Sequence, residues 1–213
     1  MKSRLKKAPA TTAILVILTI VYLYEFMAGA SDNNFLLLQM GAIVPWRYMV
    51  ETGEYWRIFT GMFLHANLLH WAANCWSLYQ LGTLYEVMFG SRRFLFIYFL
   101  TGACASIASS LARSQGISVG ASGAVLGILG AFIFSIRRSP QFRHEPWTRG
   151  LVAQLVFWAL LNLALGFQIP QIDNVAHIAG LLSGLALGFV PHRVPPPPPS
   201  HGVIEVQAQA PRA

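Results

Sequence analysis

The stretch Val119-Gly120-Ala121-Ser122-Gly123-Ala124-Val125-Leu126-Gly127 sets a serine among glycines at the head of a long apolar run. Alone, it reads as a small-residue turn leading into a buried helix, a packing seam of the kind helical membrane proteins use. It gains a chemical reading from His70, Asn74 and His177, each set inside a hydrophobic segment of its own. A serine hydroxyl is a weak nucleophile until a base within hydrogen-bond reach takes its proton, and histidine is the usual base. Ser122 and His177 would meet that need as a dyad. Attack on a carbonyl leaves an oxyanion that needs donors aimed at it. The Asn74 amide, His70 and the Ser122 backbone N–H, at a helix start that presents N–H groups, are available. Asp173 lies one turn before His177 and is expected to be a cap or loop charge rather than a third catalytic member. Ser183 lies deeper than His177 and fits packing.

The elements that must position these residues are spans in a bilayer. Of the 213 residues, 55% are hydrophobic and 11% charged, where a soluble domain carries about 25% charged residues. A helix needs roughly 20 apolar residues to cross the hydrocarbon core. Six runs qualify, at 11–28, 62–82, 94–112, 119–136, 150–168 and 175–192. The first is long and smoothly apolar, without a small-residue cleavage site leading to a soluble domain, so it reads as an anchor and not a signal peptide. The fold class expected is an all-α, six-helix membrane bundle. Its domain would occupy residues 11–193, between a basic tail at 1–10, with no soluble accessory domain before the first span, and a Pro-rich tail at 194–213. Pro195–Pro199 gives that tail a stiff polyproline II character rather than a seventh span.

The net charge of +7 is a topology signal and not a nucleic-acid footprint. Lys2, Arg4, Lys6, Lys7, Arg92, Arg93, Arg137, Arg138, Arg143, Arg149, Arg193 and Arg212 fall on one side of the six runs, leaving Arg47, Arg57 and Arg113 on the other. That bias puts both termini in the cytoplasm. The second, fourth and sixth runs then all enter from the outer face, so His70, Ser122 and His177 share one depth just below it. Gly123 and Gly127, and Gly180, Gly184 and Gly188, permit close backbone approach between the fourth and sixth runs.

The remaining polar residues receive structural readings. Residues 30–61 form a long connection rich in apolar and aromatic side chains, expected to be an ordered lateral element lying partly in the membrane. Glu25 is expected to reach the interface from the outer end of the first run. His65 lies at the interface end of the second run, which is read as helical from Phe63. Two histidines five apart with no carboxylate beside them fit a metal poorly, so neither a metal nor a cofactor is expected. Glu86 is expected to act as a structural cap, paired with Arg92 or Arg93. Cys75 and Cys104 are packing residues and His144 is solvated. The fifth run, with only Gln154 and Asn162 inside it, is the least polar wall and the natural movable one.

Taken in order, Gly53-Glu54-Tyr55-Trp56-Arg57, His65-xxxx-His70-xxx-Asn74, Glu86, Gly120-Ala121-Ser122-Gly123 and Ala176-His177-xx-Gly180-xxx-Gly184 resemble the rhomboid family of intramembrane serine proteases over residues 41–190. The resemblance implies that Ser122 is the nucleophile and His177 the general base, with His70, Asn74 and the Ser122 N–H as the oxyanion hole. It implies a structural motif at Trp56 and Arg57 and a structural position at Glu86. Gly120, Gly123, Gly180 and Gly184 match its small-residue positions. The first loop and fifth helix would shape lateral access for a substrate helix. Many members carry an aromatic residue where this chain has Leu126, which implies an altered orientation of the histidine, or an altered rate, rather than inactivity. The implied partners are transmembrane protein substrates, with helix-destabilising residues and a small residue at the cut, and the lipid bilayer. The implied location is a multi-pass position in a bacterial cytoplasmic membrane, with the site toward the outer face.

Two other functions are compatible with parts of this pattern. A protease-inactive relative that binds membrane proteins for trafficking or quality control would be expected to lose the serine or the histidine, and both are present. A transporter would spread its polar groups across the membrane and show inverted repeats, whereas these groups cluster at one depth.

Overall fold

The computed structural model describes residues 2–169 and 171–190. The Pro-rich tail, with Arg193 and Arg212, lies outside them. Among the described residues the regular elements are all helices, with one isolated bridge between Ile43 and Ser118. The helices are α1 (Lys2–Lys7), α2 (Pro9–Met27), α3 (Asn34–Gln39), α4 (Trp46–Thr52), α5 (Arg57–Thr60), α6 (Leu68–Phe89), α7 (Ser91–Ala112), α8 (Ser122–Arg138), α9 (Pro146–Gln168) and α10 (Asn174–Gly188).

Each of the six apolar runs coincides with one of the longer helices. By length and composition, α2, α7 and α9 are apolar enough to cross a membrane. The 22-residue α6 carries His70, Asn74, Gln80 and Glu86, while α8 and α10 are only 17 and 15 residues long. The second run begins later than expected. Residues 62–67 are not helical, because Asn67 takes an extended backbone and its side chain accepts the His70 N–H at 3.0 Å. An Asn at this position satisfies a free helix-start donor and fixes the first turn.

Helix α8 is the centre. Small residues let neighbours approach it on several sides, and twelve of its seventeen residues are buried. It packs on α10, α7, α6 and α9. Thr101 and Ala105 of α7 fill the space beside Gly127 and Gly123. Helix α9 is peripheral: only Thr148, Val152, Leu155, Ala159 and Gly166 are buried along its 23 residues.

Two carboxylates hold the frame: Glu86 is a structural cap, as expected, but with other partners than expected, and Glu25 is not at the interface. Glu86 accepts from the backbone N–H groups of Ala10 and Thr11 at 2.9 and 2.7 Å, from the Thr11 hydroxyl at 2.7 Å and from the Ser91 hydroxyl at 2.6 Å. It caps α2 from another helix, because Ala8 at the start of α2 has no side chain to do so. A buried carboxylate on unpaired N–H groups also meets the positive end of the helix dipole. It pairs with neither Arg92 nor Arg93. Arg93 instead donates to the Tyr85 hydroxyl at 2.9 Å and to Ser135, Leu187 O and Val190 O at 3.3 Å. Glu25, expected at the interface, is fully buried. Its carboxylate accepts the His65 N–H at 3.0 Å, fastening the end of α2 to the segment before α6.

The long connection is ordered by three short helices. Arg57 is buried and donates to Leu38 O at 2.6 Å, Ala42 O at 3.1 Å and the Glu54 carboxylate at 2.7 Å. Its guanidinium lies 4.8 Å from the Trp56 ring centroid. Outward from this knot, Tyr48, Val50, Tyr55, Trp56 and Phe59 are exposed, a surface suited to the headgroup region.

Candidate active site

The site begins with a backbone contact. A Cβ at Gly180 would collide with the Gly123 carbonyl, and one at Gly184 with the Gly127 carbonyl. The backbones of α8 and α10 therefore touch along a glycine seam. A Cβ at Gly123 would lie 3.5 Å from Ala176 O. Ala176 and Gly180 bracket His177, and Gly123 follows Ser122 directly. The seam thus brings together the first turns of the two helices that carry Ser122 and His177.

A second close approach adds α6. Gly120 has φ +125°, a conformation L side chains rarely adopt, and donates its N–H to Gly61 O at 2.9 Å. A Cβ there would lie 2.7 Å from His70 Cε1 and 2.8 Å from Nε2. The His70 ring therefore rests on backbone two residues before Ser122. Asn74, one turn on, is buried and donates its amide to His70 O at 2.9 Å, leaving the second amide hydrogen free.

His70, Asn74, Gly120, Ser122, Leu126 and His177 all line one cavity of about 1030 Å³. Its far wall is α9, which packs on α8 and α10. Ser122 is half-buried and His177 buried. Among the described residues no hydrogen bond joins Ser122 to His177, and the His177 Nδ1 has no partner. Leu126 is buried one turn after Ser122. Ser183 donates to Gly180 O at 3.0 Å, a packing contact within α10. Among the described residues no group of three or more His, Cys, Asp or Glu is placed to hold a metal ion.

An ion-pair cluster on the lining of this cavity was not visible in the sequence. Asp173 caps α10 by accepting the Ala176 N–H at 3.0 Å. The same carboxylate accepts from Arg113 at 2.8 Å, Ser118 at 2.7 Å and Ser109. Burial alone would push this carboxyl up; the hydrogen bonds from Ser109, Ser118 and the Ala176 N–H, with the Arg113 charge, outweigh it and hold it below the usual carboxylate value. Ser118 is also bridged to Ile43, so the cluster ties α10, the end of α7 and the first loop together. The available signal was Arg113, one of three basic residues against the charge bias. Trp56, Arg57 and Glu86 lie away from the cavity and act on the frame.

The chain is similar to known proteins along most of its length. A family model described as Rhomboid domain matches residues 52–194. RHOMBOID-like protein 6, mitochondrial, of Arabidopsis thaliana is 39% identical over 167 residues, covering 76% of this chain and 51% of that protein. Rhomboid protease GluP of Bacillus subtilis is 34% identical over 177 residues, covering 83% of this chain and 34% of that protein. RHOMBOID-like protein 2 of Arabidopsis thaliana is 40% identical over 167 residues, covering 76% of this chain and 49% of that protein. The chain spans about half or less of the length of these relatives. With the domain matched over more than half of its length, the chain belongs to the rhomboid family.

Proposed function

We propose that this protein is an intramembrane serine endopeptidase that hydrolyses peptide bonds in or near the transmembrane segments of other membrane proteins. The observation that carries this reading is the glycine seam, which sets the first turns of α8 and α10 side by side on one cavity, with Ser122 on one and His177 on the other. Ser122 Oγ attacks the scissile carbonyl carbon while His177 takes its proton. The oxyanion is held by the Asn74 amide, His70 and the Ser122 N–H, one of the helix-start donors without an intrahelical partner. Collapse of the intermediate breaks the C–N bond, and His177 hands the proton to the leaving amine. Water then attacks the acyl-enzyme by the same route, releasing the new carboxyl end and restoring Ser122. No metal or cofactor takes part in this scheme.

A helix has no free carbonyl to offer, since each is bonded within the segment. The substrate must therefore unwind locally, which favours helix-destabilising residues near the cut. Access is lateral, between α6 and α9. In this reading all six long helices cross a bacterial cytoplasmic membrane, both termini are cytoplasmic, and the site opens toward the outer face. The domain spans residues 11–193, flanked by the basic segment 1–10 and the Pro-rich segment 194–213.

A fluorophosphonate probe tests the nucleophile without knowledge of the substrate. Covalent labelling of Ser122, lost in Ser122→Ala and strongly reduced in His177→Ala, is expected. Folded protein that takes no label, or takes it elsewhere, would sink the reading.

A further inference from the structure

Below the Ser122 and His177 region the cavity continues between α6 and α9, walled by Leu81, Leu84, Leu151 and Leu155. Two amides interrupt this apolar wall: Gln80 on α6 and Gln154 on α9. Both are exposed to the space, and neither has a hydrogen-bond partner among the described residues. An unpaired amide at bilayer depth is costly facing lipid, and such groups turn toward protein or a wet cavity.

The two glutamines stand at similar distances from the ends of their helices that meet Phe142. Phe89 at the end of α6 packs on Phe142, with ring centroids 5.9 Å apart, and Phe142 packs on Trp147 at the start of α9, 6.0 Å apart. These contacts join the lower ends of the two helices through one ring. Gln80 stands nine residues above Phe89 and Gln154 eight residues above Pro146, or about 14 and 12 Å at the helical rise of about 1.5 Å per residue. Gln80 is ten residues beyond His70, hence about 15 Å below it.

We propose that Gln80 and Gln154 form a hydrogen-bonding subsite, deep in the membrane, that selects substrate segments carrying a polar side chain on the cytoplasmic side of the cut. This rests on the protease reading above. A substrate bond held at Ser122 places the subsite about ten residues further along if that stretch is helical, or about five if it is extended. Asn, Gln, Ser or Thr there would find donors and acceptors from both walls, and an apolar residue would leave both amides unpaired.

The test uses two single-span substrates in liposomes, identical except for an Asn or a Leu five to ten residues to the cytoplasmic side of the cut. For the wild type, kcat/KM should favour the Asn substrate by about three- to thirtyfold, the range such hydrogen bonds span in membranes. In Gln80→Leu with Gln154→Leu the ratio should fall to about one, with Gln80→Asn restoring part of it. A ratio unmoved by the double variant, an equal loss on both substrates, or a faster rate on both (the amides latching the cavity shut) overturns the subsite. Affinity of the full-length Ser122→Ala protein for the two segments in nanodiscs separates this from the chemistry. A preference for Asn there, abolished by the glutamine changes, upholds the subsite even if the wild type cleaves nothing. Equal affinity rejects it.

Discussion

Gly180 of α10 lies against the carbonyl of Gly123 in α8, closely enough that no side chain fits between the two backbones. This contact replaces the side-chain layer found between ordinary packed helices and sets how far Ser122 is from His177. The three atoms nearest the would-be Cβ are all backbone atoms of Gly123, so nothing can swing aside to admit it.

Gly180→Ala should therefore lower stability by about 1–3 kcal/mol, the usual cost of overpacking, and Gly180→Leu by more. Thermal unfolding in detergent measures it. Cleavage should fall further than stability does, because a helix shift of a fraction of an ångström moves His177 relative to Ser122.

Gly120→Ala tests the other close approach. The new Cβ would press on the His70 ring at a backbone φ that favours glycine. With His70 in the proposed oxyanion hole, the expected result is a loss of kcat of about a hundredfold, the cost of one misplaced donor, with a smaller change in KM.

Glu86→Gln removes the charge that caps α2 while leaving the shape. A melting temperature lower by several degrees is expected, consistent with loss of a charge-assisted cap of about 1–3 kcal/mol. Arg92→Ala should have little effect, since Arg92 is exposed and Glu86 is bonded to Ala10, Thr11 and Ser91 instead.

Asp173 predicts a pH dependence. Its carboxyl is held below the ordinary value of 3.8 in the folded protein. A depressed folded pKa gives stability that is present above the unfolded pKa and lost as pH falls through the folded one. The wild type should therefore lose stability at pH values below about 4. Asp173→Asn should be less stable at neutral pH and show a flatter acid limb, read as melting temperature against pH.

The co-location of the candidate residues was more legible in the sequence than the frame was. Ser122, His70, Asn74 and His177 could be placed at one depth from the parity of the apolar runs, and the glycine spacing marked which helices would touch. The start of α6 was misplaced because Phe63-Leu64 continues the apolar pattern, and hydropathy does not register the Asn67 cap. Glu25 and Glu86 were placed by nearness in sequence to the interface and to Arg92 and Arg93. Their partners, His65 and Ala10 with Thr11, are 40 and about 75 residues away and reach them through backbone N–H groups. No residue type announces a backbone donor, so contacts of this kind are invisible to spacing. The Arg113–Asp173 pair was hidden for a related reason, lying 60 residues apart in sequence.

The most direct test of the proposed Ser122–His177 dyad is cleavage of a single-span membrane substrate in liposomes by the wild type, Ser122→Ala and His177→Ala, each shown to be folded. The wild type should make one cut in or near the membrane segment, and neither variant should make any. Cleavage that survives Ser122→Ala would contradict the dyad.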